Sequence, residues 1–185
     1  IFGASIQTCP IEQVSTTIDE CLEQFRGEGR TPYFIQGGGH GNFGTAAYVE
    51  AYREIEAYEE QTGIGFDYIF FASGTGTTQA GLVCGQLLST KKDAPRIVGI
   101  SIARTKERGY DVICDSIKGY MEQHQSILPI DLEDLLYFTD AYRKGGYGKY
   151  DQEVADTVAQ VMREEGIPMD TTYVGKAYCG MKSFI

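Results

Sequence analysis

The sequence predicts an α/β fold: three layers, with a mainly parallel sheet between helices. Three observations carry this. Apolar runs of strand length recur, and Tyr68–Ala72 and Arg96–Ala103 are strongly apolar. Stretches of helical spacing separate the runs, and strands joined through single helices form βαβ crossovers with parallel neighbours. Glycine-rich loops follow two of the strand candidates and lead directly into helices. Such loops converge beyond the carboxyl ends of the strands, where sheets of this kind bind ligands. At 185 residues, positions 1–185 are expected to form one α/β domain.

Taken in order, Ile6–Cys9 is a short strand candidate closed by Pro10. Ile11 to Phe25 reads as an amphipathic helix with Ile18, Cys21, Leu22 and Phe25 on one face, ended by Gly27 and Gly29. Pro32 to Gln36 is a second strand candidate. It runs into Gly37–Gly44, where five of eight residues are glycine, and then into a helix over Thr45 to Gln61. A flexible connector seldom sits tightly between a strand and a long helix, so a ligand-facing loop carrying Gly38 and Gly39 is favoured.

Phe66 to Gly85 is the centre of the pattern. The strand passes through Ser73-Gly74-Thr75-Gly76-Thr77-Thr78 into small and apolar residues at helical spacing. The first amides of a helix lack intrahelical partners, and its dipole favours an anion there. Gly74 and Gly76 permit close approach, and the hydroxyls of Ser73, Thr75, Thr77 and Thr78 can donate to phosphate oxygens. An ordinary N-cap needs only one Ser or Thr. Four hydroxyls and two glycines in six residues point to a phosphate site.

After Arg96–Ala103, Thr105 to His124 is helical with Val112, Ile113, Ile117 and Met121 on a face, and Asp131–Phe138 is ambiguous. Tyr142–Tyr150 is a glycine-tyrosine loop. Asp151 caps a helix that runs to Glu165 and stops at Gly166, Ile167–Tyr173 is extended, and Gly175 leads into a terminal helix, Lys176–Lys182.

A net charge of −10 argues against nucleic acid or an anionic membrane as the main partner. No apolar run approaches the ~20 residues of a membrane span. Five scattered cysteines and two histidines suggest neither a disulfide framework nor a zinc site, and a reducing cytoplasm is expected. The chain starts at Ile1 without Met and is expected to be a piece of something longer.

Two phosphate motifs can be weighed. A P-loop needs Lys after its last glycine, where Thr77 stands, so ATP binding through that motif is excluded. A dinucleotide fingerprint would need a third glycine where Gln79 stands. Arg104 suits a 2′-phosphate, so an NADP domain stays open as the weaker alternative, as does a phosphate-binding module without catalysis.

Several collinear segments now carry a resemblance. They are Pro32-Tyr33-Phe34-Ile35 with the following glycine loop and Tyr48-Val49-Glu50, then Ala72 to Gly81, Val98-Gly99-Ile100-Ser101, Tyr147-Gly148, and Asp170 with Tyr173-Val174-Gly175-Lys176-Ala177. The chain resembles pyridoxal-phosphate enzymes of the tryptophan-synthase-β fold (fold type II), within them the D-cysteine desulfhydrase and 1-aminocyclopropane-1-carboxylate deaminase group. The resemblance implies part of the large domain of a lyase or deaminase. It also implies pyridoxal 5′-phosphate as cofactor, a small amino acid as substrate and a homodimer in the full-length protein. By it, Ser73 to Thr78 grip the cofactor phosphate, and Tyr147 and Tyr173 fall on the family's two active-site tyrosines.

The chain departs from that pattern in three places. Val174 stands where the family has Glu or a hydroxyl residue facing the pyridine nitrogen. His40-Gly41 replaces a Ser-Asn pair, which makes His40 a substrate-side candidate. The family's Schiff-base lysine lies in an N-terminal basic segment, and neither Lys176 nor Lys91, Lys92, Lys144 or Lys149 has that setting. The chain is therefore expected to be a C-terminal portion, inactive alone.

Overall fold

The computed structural model describes residues 3–128, 132–133 and 135–185. Ile1, Phe2 and, from the ambiguous 131–138 stretch, Asp131 and Asp134 lie outside the described residues. The chain divides into two compact units, Ile1–Ile35 and Gln36–Ile185.

The smaller unit contains a 3-10 turn, Ile11–Gln13, and helix α1, Val14–Gly27. The apolar face expected from the spacing is present: Ile18, Cys21, Leu22 and Phe25 are half-buried and line a groove with Cys9 and Phe34. Neither Ile6–Cys9 nor Pro32–Gln36 is a strand, contrary to the sequence expectation. A strand must pair to satisfy its amides and carbonyls. Ile6, Tyr33 and Ile35 are instead 88%, 73% and 71% exposed.

In the larger unit, β1 (Tyr68–Ser73), β2 (Arg96–Ser101) and β3 (Tyr137–Thr139) form a parallel sheet in that order. Tyr68 pairs with Arg96 and Ser73 with Ser101, and Val98 pairs with Tyr137. Helices α2 (Asn42–Thr62), α3 (Thr77–Leu88) and α4 (Lys106–Gln123) precede β3, and α5 (Gln152–Glu165) and α6 (Val174–Phe184) follow it. Side chains alternate across a sheet. Ile69, Phe71 and Ile97 therefore join Val49, Leu82, Ile113 and Ile117 of α2–α4 in one core. Phe70, Ala72, Val98 and Ile100 face the other way, against Ala177 of α6. Helices thus cover both faces, as the α/β pattern predicts.

Some boundaries move for local reasons. β2 ends at Ser101 rather than Ala103, because the Ser101 hydroxyl accepts from the Ala103 amide and donates to the Arg104 carbonyl, which turns the chain. Ile167–Tyr173 is irregular rather than extended, and turns over its last three residues. Asp151 caps α5 by accepting from the Val154 amide at 3.2 Å, and Gly166 ends it at φ 68°.

Glycines set the closest approaches. A Cβ on Gly81 of α3 would lie 2.3 Å from Tyr48 Cβ and 2.5 Å from the Thr45 carbonyl oxygen, so α2 and α3 pack through that absence. Across the sheet, a Cβ on Gly99 would lie 2.1 Å from Gln79 Oε1. Gln79 is fully buried there and donates to the Tyr137 carbonyl at 3.0 Å, tying α3 to β3.

Candidate functional site

β1 ends at Ser73 and α3 starts at Thr77, with Gly74-Thr75-Gly76 between them. Gly76 has φ 90°, and a Cβ there would lie 3.0 Å from Ile113 Cγ1, so conformation and space both require glycine. As N-cap it brings no side-chain oxygen, which leaves the first α3 amides uncapped by any side chain, with the positive end of the helix dipole behind them. Ser73, Gly76 and Thr77 are buried, while Gly74, Thr75 and Thr78 are half-exposed. Thr75 and Thr78 therefore front the opening and Ser73 and Thr77 wall it from behind.

The second glycine loop meets the first. Gly38 has φ 69°, and a Cβ on it would lie 2.8 Å from Thr75 Cγ2. Gly44, in the first turn of α2, would place a Cβ 1.9 Å from the Gly39 carbonyl oxygen and 2.9 Å from Thr77 Cγ2. Between them His40 Nδ1 lies 3.1 Å from Thr77 Oγ1, which is itself 3.1 Å from Thr75 Oγ1. The structure thus places His40 on the hydroxyls of the phosphate-type loop. The N-cap of α2, Gly41, also brings no side-chain cap.

Residues beyond β2 brace the loop. The Ile102 amide donates to the Ser73 carbonyl at 3.1 Å, and Arg104 Nε donates to the Gly74 carbonyl at 2.9 Å. Arg104, the candidate for a dinucleotide 2′-phosphate, is engaged with the loop itself. Its side chain folds back over the loop, a direction that no local pattern encodes.

The two candidate tyrosines meet although 26 residues separate them. Their hydroxyl oxygens are 2.8 Å apart and their rings stand edge to face at 5.8 Å. The hydrogen bond to Tyr147 holds the Tyr173 phenol above the ordinary tyrosine range, with burial and the Asp170 carboxylate adding to it. Val174 follows with a half-exposed aliphatic side chain that has no donor or acceptor.

Asp170 positions Tyr173. Its carboxylate accepts from the amides of Thr172 (2.7 Å), Tyr173 (2.6 Å) and Val174 (3.0 Å), closing the start of α6. Burial pushes this carboxyl up, but the amides of Val174, Tyr173 and Thr172 together hold it below its ordinary value. A carboxyl lowered in the folded state contributes stability above its unfolded pKa of ~4, and that stability is lost as pH falls through the lower folded value. Protection of Thr172–Val174 against hydrogen exchange, relative to the intrinsic rate at each pH, is therefore expected to fall below about pH 4. Asp170→Asn should remove that acid-dependent step.

The sequence reading missed what Lys176 does. Its Nζ is fully buried and donates to the carbonyls of Ile102 (3.0 Å), Arg143 (2.8 Å) and Gly146 (2.8 Å). The available signal was a lone lysine among Gly175, Ala177, Cys179 and Gly180. Burial pushes the Cys84 thiol up to about 12, which removes it from nucleophilic roles. No metal-binding cluster occurs among the described residues, and no described helix is long and apolar enough to cross a membrane.

A parallel sheet with an uncapped helix start behind two touching glycine loops has the geometry of an anion site at the carboxyl end of an α/β sheet. The chain belongs to the pyridoxal-phosphate dependent enzyme family, whose model matches residues 1–184. It is 36% identical over 163 residues to a candidate 1-aminocyclopropane-1-carboxylate deaminase of Pyrococcus horikoshii, covering 88% of this chain and 47% of that protein. It is 32% identical over 164 residues to the 1-aminocyclopropane-1-carboxylate deaminase of Burkholderia lata, covering 88% of this chain and 48% of that one. A crystal structure of an ACC deaminase homologue superposes with a TM-score of 0.82 at 33% identity, covering 97% of this chain and 52% of that chain. The chain thus spans about half the length of the curated relatives it matches.

The residues fit the phosphate of such a cofactor. The α3 amides carry no side-chain cap, and even a Cβ on Gly74 would meet nothing closer than Ile102 Cδ1 at 3.6 Å. The half-exposed hydroxyls of Thr75 and Thr78 stand at the opening.

Proposed function

We propose that this chain is the phosphate-gripping portion of a pyridoxal-phosphate-dependent lyase or deaminase acting on a small amino acid, with a keto acid and ammonia as products. The observation that carries it is the contact of the two glycine loops at the uncapped start of α3. The named deaminase relatives favour a 1-aminocyclopropane-1-carboxylate-like substrate. D-cysteine, which would also release sulfide, is the other substrate of that group to test. Arg104, bonded to the loop, weighs against an NADP domain.

When bound, the cofactor supplies the electron sink for breaking a bond at the substrate's α-carbon or β-carbon. The chain's own residues bind and orient. Amides of Thr77 and Thr78 and the hydroxyls of Thr75 and Thr78 hold the phosphate, with Gly38 and Gly39 closing one side and His40 orienting Thr77. Tyr147 and Tyr173 share a hydroxyl hydrogen bond and hold a proton beside the substrate for acid–base use. Val174 offers the pyridine nitrogen no partner. Lys176, held by three carbonyls, is not free to carry the cofactor, so that lysine is assigned to the part of the relatives' length this chain does not span. The full-length protein is proposed to be a cytoplasmic homodimer.

The test uses the protein as its natural source makes it. Borohydride reduction and peptide mapping should find the cofactor on a lysine other than Lys176. Added 1-aminocyclopropane-1-carboxylate or D-cysteine should yield a keto acid and ammonia, whereas the 185-residue chain alone should yield neither. No keto acid from any small amino acid, with no adduct, overturns the proposal.

A further inference from the structure

Lys176 has no ion-pair partner among the described residues; burial pulls its pKa below the ordinary lysine value, and Asp151 and Asp170 oppose that only at longer range. An ammonium has three N–H donors and no acceptor, and three carbonyls receive them here. A neutral amine would turn a lone pair toward one of those carbonyls. The acceptors come from two places. Ile102 follows β2 and its amide is bonded to Ser73 at the phosphate-type loop. Arg143 and Gly146 belong to the 142–150 loop, and Gly146 directly precedes Tyr147. Lys176 itself stands three residues after Tyr173 on α6.

This loop needs an anchor. Lys144, Gly145, Gly146 and Gly148 have φ of 49°, 84°, 111° and 71°, so it has no regular ladder to hold it. Another tether is Lys144, which bonds Asp151 and Glu153 at the surface, where those carboxylates are 47% and 54% exposed. Exposed pairs of this kind contribute little and weaken with salt. The buried ammonium does neither.

We propose that Lys176 is the positioning residue of the tyrosine pair: its buried ammonium, shared among the Ile102, Arg143 and Gly146 carbonyls, holds the glycine-tyrosine loop so that Tyr147 stays on Tyr173. Its catalytic consequence rests on the function proposed above, but its structural content does not. Charge and burial together explain why a lysine stands among the buried Gly175, Ala177, Cys179 and Gly180 of α6.

The experiment compares Lys176→Met, Lys144→Ala and Tyr147→Phe in the full-length protein, by hydrogen exchange of 142–150 and by alkaline tyrosinate absorbance. Lys176→Met should speed exchange in this loop by about tenfold or more, as loss of a charged hydrogen bond does, and leave α3 and α4 unchanged. It should also remove one tyrosine from those that titrate above the ordinary range, a group that keeps Tyr52 and Tyr120, as Tyr147→Phe does, while Lys144→Ala changes loop exchange by only about twofold. Where the enzyme turns over substrate, Lys176→Met combined with Tyr147→Phe should be no slower than the slower single variant. A folded Lys176→Met with wild-type exchange and titration overturns the proposal, and so does a multiplicative double variant. Failure of the turnover assay alone counts against the proposed function and leaves the other two readouts standing. Should Lys176→Met not fold, NMR of lysine side-chain nitrogens in the wild type decides. One ammonium with slowly exchanging protons supports the anchor, and lysines that all exchange like exposed ones overturn it.

Discussion

Gly81→Ala is expected to destabilise the larger unit by about 3 kcal/mol, near the upper end of overpacking costs. Helix propensity alone predicts the opposite, a gain of roughly 1 kcal/mol for alanine over glycine within a helix. Packing wins here because the new Cβ would meet Tyr48 Cβ at 2.3 Å and the Thr45 carbonyl oxygen at 2.5 Å. Neither contact is the far end of a flexible side chain, so α2 and α3 must separate along their length. For a chain of this size the loss lowers Tm by roughly 10 °C. Gly119→Ala on α4 is the control. Its Cβ would meet only Asn42 Oδ1 at 3.6 Å, an ordinary contact, so it should be neutral or slightly stabilising. Equal melting temperatures for the two variants would mean that the α2–α3 contact is softer than its geometry.

Gly44→Ala should weaken pyridoxal phosphate binding by about a hundredfold, the scale on which ~1 Å of misplacement matters at a site. Gly44 is not among the residues assigned to the phosphate. Its Cβ would fall 1.9 Å from the Gly39 carbonyl oxygen, and the helix cannot yield, so the Gly37–Gly39 turn must retreat from Thr75. The wall that closes one side of the phosphate site then opens. Equilibrium titration with pyridoxal phosphate and with inorganic phosphate, against circular dichroism to confirm folding, separates loss of site from loss of fold. Unchanged affinity in a folded Gly44→Ala would remove the Gly38–Gly39 loop from the site.

These residues show what was legible in the sequence. The 73–78 loop could be read because everything that marks it as a candidate anion site is local: strand residues before it, glycine and hydroxyl residues within it, helix spacing after it. Asp151 and Gly166 were legible for the same reason, since a cap bonds within a few residues of itself. Tyr147 and Tyr173 were legible only through family resemblance, because nothing at either position encodes a partner 26 residues away. The strand candidates Ile6–Cys9 and Pro32–Gln36 misled because strand composition does not supply a neighbour to pair with.

The sequence by itself determined the helices, strands β1 and β2, the parallel sheet with helices on both faces, and the position of the phosphate-type loop. Short-range periodicity, capping and turn chemistry suffice for those. Only the tertiary structure decided that the Gly37–Gly39 turn closes on Thr75, that Arg104 turns back to Gly74, and that the Lys176 ammonium gathers carbonyls from two distant segments. Those contacts form because burying a polar group demands a partner wherever the fold can supply one, and no sequence spacing says where that is.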